Sequence, residues 1–318
     1  MHPNNTKLNT YNSISEYHSN KKSVVTIGTF DGVHIGHSKI LERIIHSAQE
    51  CNCESTVLTF FPHPRMVLQE ISEVKLLNTI DEKITLLETI GIDNLIIHPF
   101  NKDFSRLTAE DFVKTILVNQ LHIQKIIIGY DHRFGRNRTA DINDLIVFGE
   151  KFNFEVEQIS AQEINEIAVS STKIRNAILN GNIAMANDYL GYHYFISGTV
   201  IKGNQLGRTI GFPTANIQIK EDYKLIPKKG VYVVKSNYNN QPVFGMMNIG
   251  TRPTVNGENL SVEVHFFDFD KDIYNEVITI EILEFIREEH KFETLETLKH
   301  QIQNDKAFSI NYLNNTSF

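Results

Sequence analysis

The first half of the chain alternates short runs of β-branched and apolar residues with longer stretches whose apolar residues recur every three or four positions. The short runs predict buried strands, and the longer stretches predict amphipathic helices. Strands separated by helices are typical of βαβ units and a parallel sheet. The predicted strands are 24–30, 55–61, 95–100, 125–130 and 154–159, and the predicted helices are 38–48, 81–90, 109–119 and 141–151.

The pattern changes after Gly191, where short β-rich segments are separated by turn-forming clusters at 202–204, 239–242 and 256–259. This spacing predicts a compact antiparallel barrel. A helical segment at 172–190 is expected to join the two halves. The predicted strands are 194–201, 230–235, 243–249, 262–267 and 277–282, followed by a closing helix at 295–308.

Composition narrows the class of protein. The chain has 318 residues, 41% of them hydrophobic and 22% charged, which favours a soluble globular protein of two domains. No run approaches eighteen apolar residues and the amino terminus lacks a secretory pattern, so we expect neither a membrane span nor a signal peptide. The net charge of −7 provides no electrostatic footprint for nucleic acid.

The two cysteines, Cys51 and Cys53, are separated by a single residue. That spacing is too short for a comfortable structural disulfide, so we expect both thiols to be reduced. Reduced cysteines agree with a cytoplasmic location.

Residues 24–37 read VVTIGTFDGVHIGH and put a glycine and two histidines at the junction of a predicted strand and a predicted helix. Gly28 falls at the predicted strand end, and His34 and His37 fall at the start of the helix. Free N–H groups and the positive end of the helix dipole favour an anion there, and a glycine lets a ligand approach the backbone. An ordinary strand–loop–helix turn with two surface histidines is the alternative.

Other polar segments follow the predicted strands: FFPHP at 60–64, GYDHRFG at 129–135 and VSSTKIRN at 169–176. Ligands on parallel sheets bind at the carboxyl ends of strands. In the last segment Ser170–Thr172 either serve a ligand or simply cap a helix. Arg175 either binds phosphate through its planar guanidinium or lies on a solvated helix face.

Two metal interpretations concern the same loops. His34, His37 and His63 could form a zinc site, but no obvious carboxylate or thiol completes the usual ligand set. Asp31 could meet magnesium or cap the loop, and the pattern does not choose between them.

Residues 198–217 read GTVIKGNQLGRTIGFPTANI, with Gly203, Gly207 and Gly211 recurring every four residues. The intervening polar residues and Pro213 indicate a loop, not a membrane helix. Its glycines either free the backbone to wrap phosphates or belong to a plain hairpin. The chain has no G-x-x-x-x-G-K-[ST] motif, so it is not a P-loop kinase.

Residues 260–267, LSVEVHFF, alternate so that Glu263 lies opposite the apolar face of its strand. It is either a catalytic carboxylate or a surface residue of the strand.

These motifs, in this order, resemble those of the bifunctional riboflavin kinase/FMN adenylyltransferases, the bacterial FAD synthetases, over roughly residues 22–305. GTFDGVHIGH is similar to the nucleotidyltransferase signature, and GRTIGFPTAN is similar to the riboflavin kinase signature. The resemblance implies a Rossmann-like parallel-sheet adenylyltransferase domain (1–186), followed by a six-stranded antiparallel β-barrel kinase domain (187–318). It implies that riboflavin is phosphorylated to FMN and FMN is adenylylated to FAD, with ATP as co-substrate and Mg²⁺ as cofactor.

The resemblance also assigns residues. Glu263 corresponds to the general base that deprotonates the ribityl 5′-hydroxyl, and His34 and His37 act on the triphosphate during adenylyl transfer. The implied ATP-binding residues are Gly28, Phe30, His34, His37, Ser171, Thr172 and Arg175 in the first domain and Gly203, Gly207, Arg208, Thr214 and Asn216 in the second. Thr214 and Asn216 also hold the metal. The implied flavin-binding residues are Pro62, His63, Asp131, Arg133, Phe134, Gly211 and Arg287.

The chain departs from the family pattern at a few positions: Thr29, Phe61, His132, Ile210 and Glu288. Phe61 and His132 bear on flavin affinity, while the implied phosphate-handling residues are all present. The expected partners are the small molecules riboflavin, FMN, FAD and ATP, with no nucleic acid and no membrane, and the oligomeric state stays open.

Two other functions are alternatives to this one. An adenylyltransferase for another phosphorylated metabolite would not need the intact GRTIGFPTAN segment or Glu263. A flavin-binding regulator descended from such an enzyme would be expected to have lost catalytic residues, yet His34, His37 and Arg175 are in place.

Overall fold

The computed structural model describes residues 7–68, 74–130, 132–160, 169–203, 206–254 and 257–316. The chain divides into two compact units, Met1–Ser171 and Thr172–Phe318. Among the described helices, none is both long and apolar enough to cross a membrane.

Within the described residues, the first unit is built on a six-stranded parallel sheet, as the alternation of patterns predicted. The strand order is β1-β4-β3-β2-β5-β6, so β2 lies inside the sheet between β3 and β5. The strands are β1 (Asn9–Tyr11), β2 (Ser23–Ile27), β3 (Glu54–Phe61), β4 (Asn94–Pro99), β5 (Ile123–Gly129) and β6 (Glu155–Ile159). Strand β1 was not predicted, because three residues are too few to show a pattern.

Helices cover both faces of this sheet. The α-helices are α1 (Ile35–Glu50), α2 (Pro64–Leu68), α3 (Ile80–Ile90), α4 (Ala109–Asp111) and α5 (Ile142–Phe152), and single 3₁₀ turns lie at Ile14–Glu16, Phe104–Arg106 and Arg136–Arg138. Capping explains where α3 begins and ends. Thr79 and Glu82 form a reciprocal capping box at its start, and Gly91 ends it with a φ of 93°.

The helix predicted at 109–119 differs from an ordinary α-helix. After α4 the chain continues as a π-helix over Phe112–Val118. Within it, two adjacent pairs, Phe112 with Val113 and Ile116 with Leu117, are buried in the core.

The core of the first unit has one layer on each face of the sheet. Val25 and Ile126 pack in one layer, whereas Val24 and Ile127, their neighbours along the strands, pack in the other. Because successive strand residues point to opposite faces, strands covered on both faces need the continuous apolar runs seen in the sequence.

The cysteine prediction was wrong. The structure joins Cys51 and Cys53 by a disulfide, and their Cα atoms are 5.3 Å apart. The turn after α1 explains the close approach, since Asn52 has a φ of 54° and reverses the chain between them. Sequence separation alone did not reveal this left-handed residue.

The second unit carries the predicted antiparallel barrel, which is closed and has the strand order β10-β11-β8-β7-β12-β9 in the described residues. Its elements are α6 (Ser171–Leu179), which begins at the last residue of the first unit, α7 (Ile183–Leu190), β7 (Phe195–Ile201), α8 (Leu206–Thr209), β8 (Ala215–Gln218), β9 (Gly230–Tyr238), β10 (Gln241–Thr254), β11 (Gly257–Phe266), β12 (Val277–Arg287) and α9 (Leu295–Asn315). Strand β8 was not predicted, because it is a four-residue segment inside the glycine-rich motif.

The side chain of Asn187 bonds helix α7 to the barrel. Asn187 donates from its amide to the carbonyl of Ile282, and its amide oxygen accepts the N–H of Tyr194. The predicted domain boundary at 186–187 falls inside α7.

We predict that Leu41→Ala lowers the free energy of unfolding of the first unit by about 2–5 kcal/mol, because Leu41 is fully buried in α1 against the sheet. Leu68→Ala is the matched control in the same unit, because Leu68 is 55% exposed, and it should change stability by less than about 0.5 kcal/mol. Urea unfolding of the full chain followed by circular dichroism measures both. Equal losses would contradict the core assignment.

Candidate active sites

The loop after β2 has an unusual backbone. Phe30 and Val33 have φ angles of 44° and 36°, and Gly32 between them has a φ of 90°. A left-handed conformation is rare for a β-branched residue, and such strain concentrates at functional sites. Phe30 and Val33 are both buried, so packing holds the loop in this form.

His34 forms the start of α1. Its Nδ1 accepts the backbone N–H of His37 at 3.4 Å, and the two imidazole rings stack with centroids 3.7 Å apart. Since Nδ1 is the acceptor, a neutral His34 carries its proton on Nε2. The structure therefore brings the two predicted histidines together at a helix N-terminus, where the dipole favours an anion.

His37 is partly exposed as a residue, but its Nδ1 atom is enclosed and has no hydrogen-bond partner among the described residues. The pKa of His37 lies well below its ordinary value, first because of burial and then because His34 and Lys83 repel a second positive charge. At neutral pH His37 is therefore an uncharged imidazole, which acts by hydrogen bonding.

Lys83 of α3 lies behind this loop and was missed in the sequence. It is only 3% exposed, and its Nζ donates to the carbonyl of Thr29 at 2.7 Å. Burial lowers the pKa of Lys83 to about 8, and the nearby Asp31 opposes that shift. The signal was present: Lys83 follows Ile80 by three residues and precedes Leu87 by four, so the period of the helix puts it on the apolar face.

Asp31 has structural contacts within the first unit. Its carboxylate accepts the N–H of Leu77 at 2.8 Å, and its carbonyl accepts the hydroxyl of Ser171 at 2.9 Å. Ser171 is thus joined to the histidine loop. Thr172 and Arg175 follow it on α6 and belong to the second unit.

The remaining predicted residues of the first unit differ in exposure. Gly28 follows the last residue of β2 and donates its N–H to the carbonyl of Leu58, and Pro62 is exposed just after the end of β3. His63 accepts the N–H of Arg65 through Nδ1.

The GYDHRFG segment splits between surface and core. Arg133 is exposed, with a guanidinium nitrogen 4.0 Å from a carboxylate oxygen of Asp141. Phe134 is 7% exposed and packs in the core beside Phe112, so it anchors the segment to the core. Asp131 lies outside the described residues.

In the barrel, Glu263 lies at the centre of β11 and is opposite Asn216 of β8 on one side and Asn248 of β10 on the other. Residues directly opposite in antiparallel strands share a face of the sheet. The hydroxyl of Thr214 donates to Oε2 of Glu263 at 3.2 Å. The structure therefore brings Thr214, Asn216 and Glu263 together, and it adds Asn248, which no spacing pattern singled out.

Gly203 packs directly on this cluster. A Cβ built at Gly203 would overlap the side-chain amide of Asn216, and one at Gly207 would overlap the carbonyl of Phe212. Gly211 has a φ of 87°. Arg208, between these glycines, is exposed. The glycines thus have packing and conformational reasons that a plain hairpin would not require.

His265, two residues after Glu263 on the same strand face, was also missed. It is 9% exposed, and its Nδ1 lies 2.8 Å from the carbonyl oxygen of Pro213. Burial lowers the pKa of His265, so the neutral ring donates from Nδ1 to this carbonyl. That bond anchors the residue immediately before Thr214.

Arg287, predicted to contact the flavin, is bonded to α9. Its Nε donates to Oδ1 of Asp305 at 2.9 Å, and its Nη2 donates to Oδ2 at 2.7 Å. Asp305 is 3% exposed and also accepts from Gln301. Arg287 therefore fastens α9 to the end of β12, and its flavin contact stays a prediction.

No group of three or more His, Cys, Asp or Glu side chains capable of holding a metal ion was found in the part of the chain that the structure describes.

The first unit carries paired histidines at a helix start beside a parallel sheet, and the second carries Thr214, Asn216 and Glu263 together on a closed barrel. These two features define the class of protein, a two-domain enzyme that transfers phosphoryl and nucleotidyl groups. Family models agree, since that of FAD synthetase matches residues 16–173 and that of riboflavin kinase matches residues 190–313. The chain belongs to the bifunctional riboflavin kinase/FMN adenylyltransferase family, and its activities are the phosphorylation of riboflavin and the adenylylation of FMN.

Similarity extends over nearly the whole chain. The bifunctional riboflavin kinase/FMN adenylyltransferase of Buchnera aphidicola is 39% identical over 305 residues, covering 95% of this chain and 96% of that protein. The enzyme of the same name from Listeria monocytogenes is 39% identical over 285 residues, covering 89% and 90%. The crystal structure of a macrolide-efflux protein from Streptococcus pneumoniae matches with a TM-score of 0.87 at 30% identity, covering 98% of this chain and 99% of that one.

We predict that His37 makes stability depend on pH. Its folded pKa is depressed below the ordinary value near 6.5, so the unfolded chain takes up the proton first as pH falls. The stability that the neutral His37 contributes to the folded state is therefore complete above about pH 6.5 and is lost as the pH falls below that value. His37→Phe should therefore reduce the drop in Tm between pH 7.5 and 5.5. His46→Phe, at an exposed position of α1, is the control, and an unchanged drop in the His37 variant would contradict the prediction.

We also predict that Gly203→Ala lowers the rate of FMN formation at least tenfold, because the added methyl group displaces the amide of Asn216. Conversion of supplied FMN to FAD by the same preparation is the internal control and should be unchanged. A wild-type rate of FMN formation would show that the position of Asn216 is immaterial.

Proposed function

We propose that the two activities are divided between the two parts of the chain, with FMN adenylylation in residues 1–186 and riboflavin phosphorylation in residues 187–318. The proposal is supported by the cluster at Glu263, where a carboxylate at the centre of a barrel strand lies between two asparagines and accepts a threonine hydroxyl at 3.2 Å. The separate histidine pair at the start of α1 supports an anion site in the first unit.

In the kinase reaction Glu263 is the general base. Its carboxylate takes the proton of the ribityl 5′-hydroxyl, and that oxygen bonds to the γ-phosphorus of ATP as the bond to the β-phosphate oxygen breaks and ADP leaves. The Thr214 hydroxyl orients the carboxylate in the free enzyme. A positioned base of this kind contributes about 10²–10⁴-fold to the rate.

Magnesium fits the residues beside that base. Thr214 and Asn216 offer a hydroxyl and an amide oxygen, and Mg²⁺ takes one or two protein oxygens while keeping phosphate and water ligands. Bound there, the ion would neutralise developing charge on the phosphate oxygens. Gly203, Gly207 and Arg208 would border the phosphates, and Gly211 and Arg287 would lie toward the flavin.

In the adenylyl-transfer reaction an FMN phosphate oxygen bonds to the α-phosphorus of ATP, and pyrophosphate leaves. No covalent enzyme intermediate is needed, so positioning and charge stabilisation carry the catalysis. His34 and His37 donate hydrogen bonds to the triphosphate, and Gly28 and Phe30 border the nucleotide. The ATP-binding roles implied for Ser171, Thr172 and Arg175 are part of the proposal, and the flavin is assigned to Pro62, His63, Asp131, Arg133 and Phe134.

A cytoplasmic location is part of the proposal, because both reactions consume ATP.

Reciprocal substitutions test the division of labour. Glu263→Gln should lower FMN formation from riboflavin by about 10²–10⁴-fold and leave FAD formation from supplied FMN intact, because only the kinase step needs the base. Glu276→Gln, an exposed glutamate before β12, is the matched control. Flavin chromatography after incubation with ATP and magnesium measures both products, and an unchanged kinase rate would remove the base assignment.

His34→Ala should have the opposite effect, lowering FAD formation by about 10²–10³-fold through loss of a donor to the triphosphate while FMN formation persists. His46→Ala in the same helix is the control, since its side chain is 62% exposed. Undiminished FAD synthesis by the His34 variant would exclude the proposed adenylyl-transfer site.

A further inference from the structure

Lys83 is a buried cation that the proposed reaction does not yet use. It is 3% exposed, and the Thr29 carbonyl, 2.7 Å away, is the hydrogen-bond acceptor that the described residues provide for it. An ammonium has three donors, so two N–H groups lack a protein acceptor within the described part of the chain. An unpaired ammonium is costly to bury, and a structural role alone would be met by an apolar side chain.

Within the described residues, Asp31 and His37 interact with the charge of Lys83 from neighbouring segments. The Asp31 carboxylate favours the ammonium but is itself bonded to the Leu77 N–H. His37 is repelled by it, and His34 stacks on His37. On its own helix, Glu82 is bonded to the backbone N–H of Thr79.

The distribution of charge around the histidine loop follows from these contacts. His37 is uncharged at neutral pH, whereas Lys83, with a pKa of about 8, is still an ammonium. Lys83 therefore puts a positive charge next to the neutral His37, and its bond to Thr29 lies directly between Gly28 and the left-handed Phe30.

We propose that Lys83 is a positioning residue for adenylyl transfer: its ammonium holds the Thr29 carbonyl, and with it the loop of residues 28–34, and supplies the fixed positive charge behind His34 and His37 that the triphosphate requires. This inference rests on the proposed function of the first unit. Lys83 acts through the loop and through its field, and its charge helps to keep His37 neutral.

The main test replaces Lys83 by methionine, which keeps the length of the side chain and removes its charge. Lys83→Met should lower kcat/KM for conversion of FMN to FAD about 10- to 100-fold, as a displaced loop would. Phosphorylation of riboflavin by the same protein should be unchanged. Lys83→Arg should recover part of the loss, because it restores the charge and a donor.

Lys125→Met is the matched control. Lys125 of β5 is also a largely buried lysine of the first unit, but its Nζ lies 2.7 Å from a carboxylate oxygen of Glu157 on β6 and so forms an ion pair. It should retain FAD synthesis, which separates the loss of any buried lysine from the loss of this one.

Two further measurements distinguish positioning from plain structural support. Adenylyl transfer by the wild-type protein should decline as pH rises through about 8, where Lys83 loses its proton, and Lys83→Met should lack this decline. In an NMR titration of the histidine rings, Lys83→Met should raise the pKa of His37, because a repelling charge has been removed.

Three outcomes would overturn the inference: full FAD synthesis by Lys83→Met, an unchanged pKa of His37, or a parallel loss of both activities together with a lower Tm. The His34→Ala result separates this failure from failure of the proposed function. If His34→Ala abolishes FAD synthesis and Lys83→Met does not, only the role of Lys83 is wrong. If neither variant is affected, the site itself is misassigned.

Discussion

Strand register is the constraint on which both candidate sites depend. In the barrel, the pairing of β11 with β8 and β10 puts Glu263 opposite Asn216 and Asn248. A slip of one residue would turn Glu263 to the other face and bring an apolar side chain into its place. In the first unit, β2 pairs in parallel with β3, and the strained loop begins at Gly28, whose N–H donates to the carbonyl of Leu58 on β3. The hydrogen bonds between the strands thus fix which side chains lie together at each candidate site.

Burial then decides which polar groups carry charge. His37 and His265 are both held neutral by burial, although one lies at a helix start and the other on a barrel strand. Lys83 keeps its proton at neutral pH in a comparable environment because its ordinary pKa is so much higher. Asp305 is buried as a charged group, and Arg287 compensates its charge by donating a hydrogen bond to each of its carboxylate oxygens. Breaking such a pair would leave an uncompensated charge, so it fastens α9 firmly to the barrel.

Periodicity predicted the long elements well and the short ones poorly. The five strands predicted in the first half and the closed barrel are confirmed, because their apolar runs reflect burial on one or both faces. Strands β1 and β8 were missed, since three or four residues do not establish a period. The π-helix and the Cys51–Cys53 bond were missed because each depends on local backbone angles that side-chain types do not reveal.

Taken alone, the sequence determined the order of the elements, the two-part organisation and the motifs that resemble one enzyme family, because apolar period and glycine or histidine spacing are local properties. Tertiary structure alone decided which of those residues meet. It joined Thr214 to Glu263 and Ser171 to the histidine loop, and it bonded Arg287 to Asp305. It also brought Lys83 behind the loop. These contacts span large separations along the chain, so they depend on strand order and packing, which no local pattern contains.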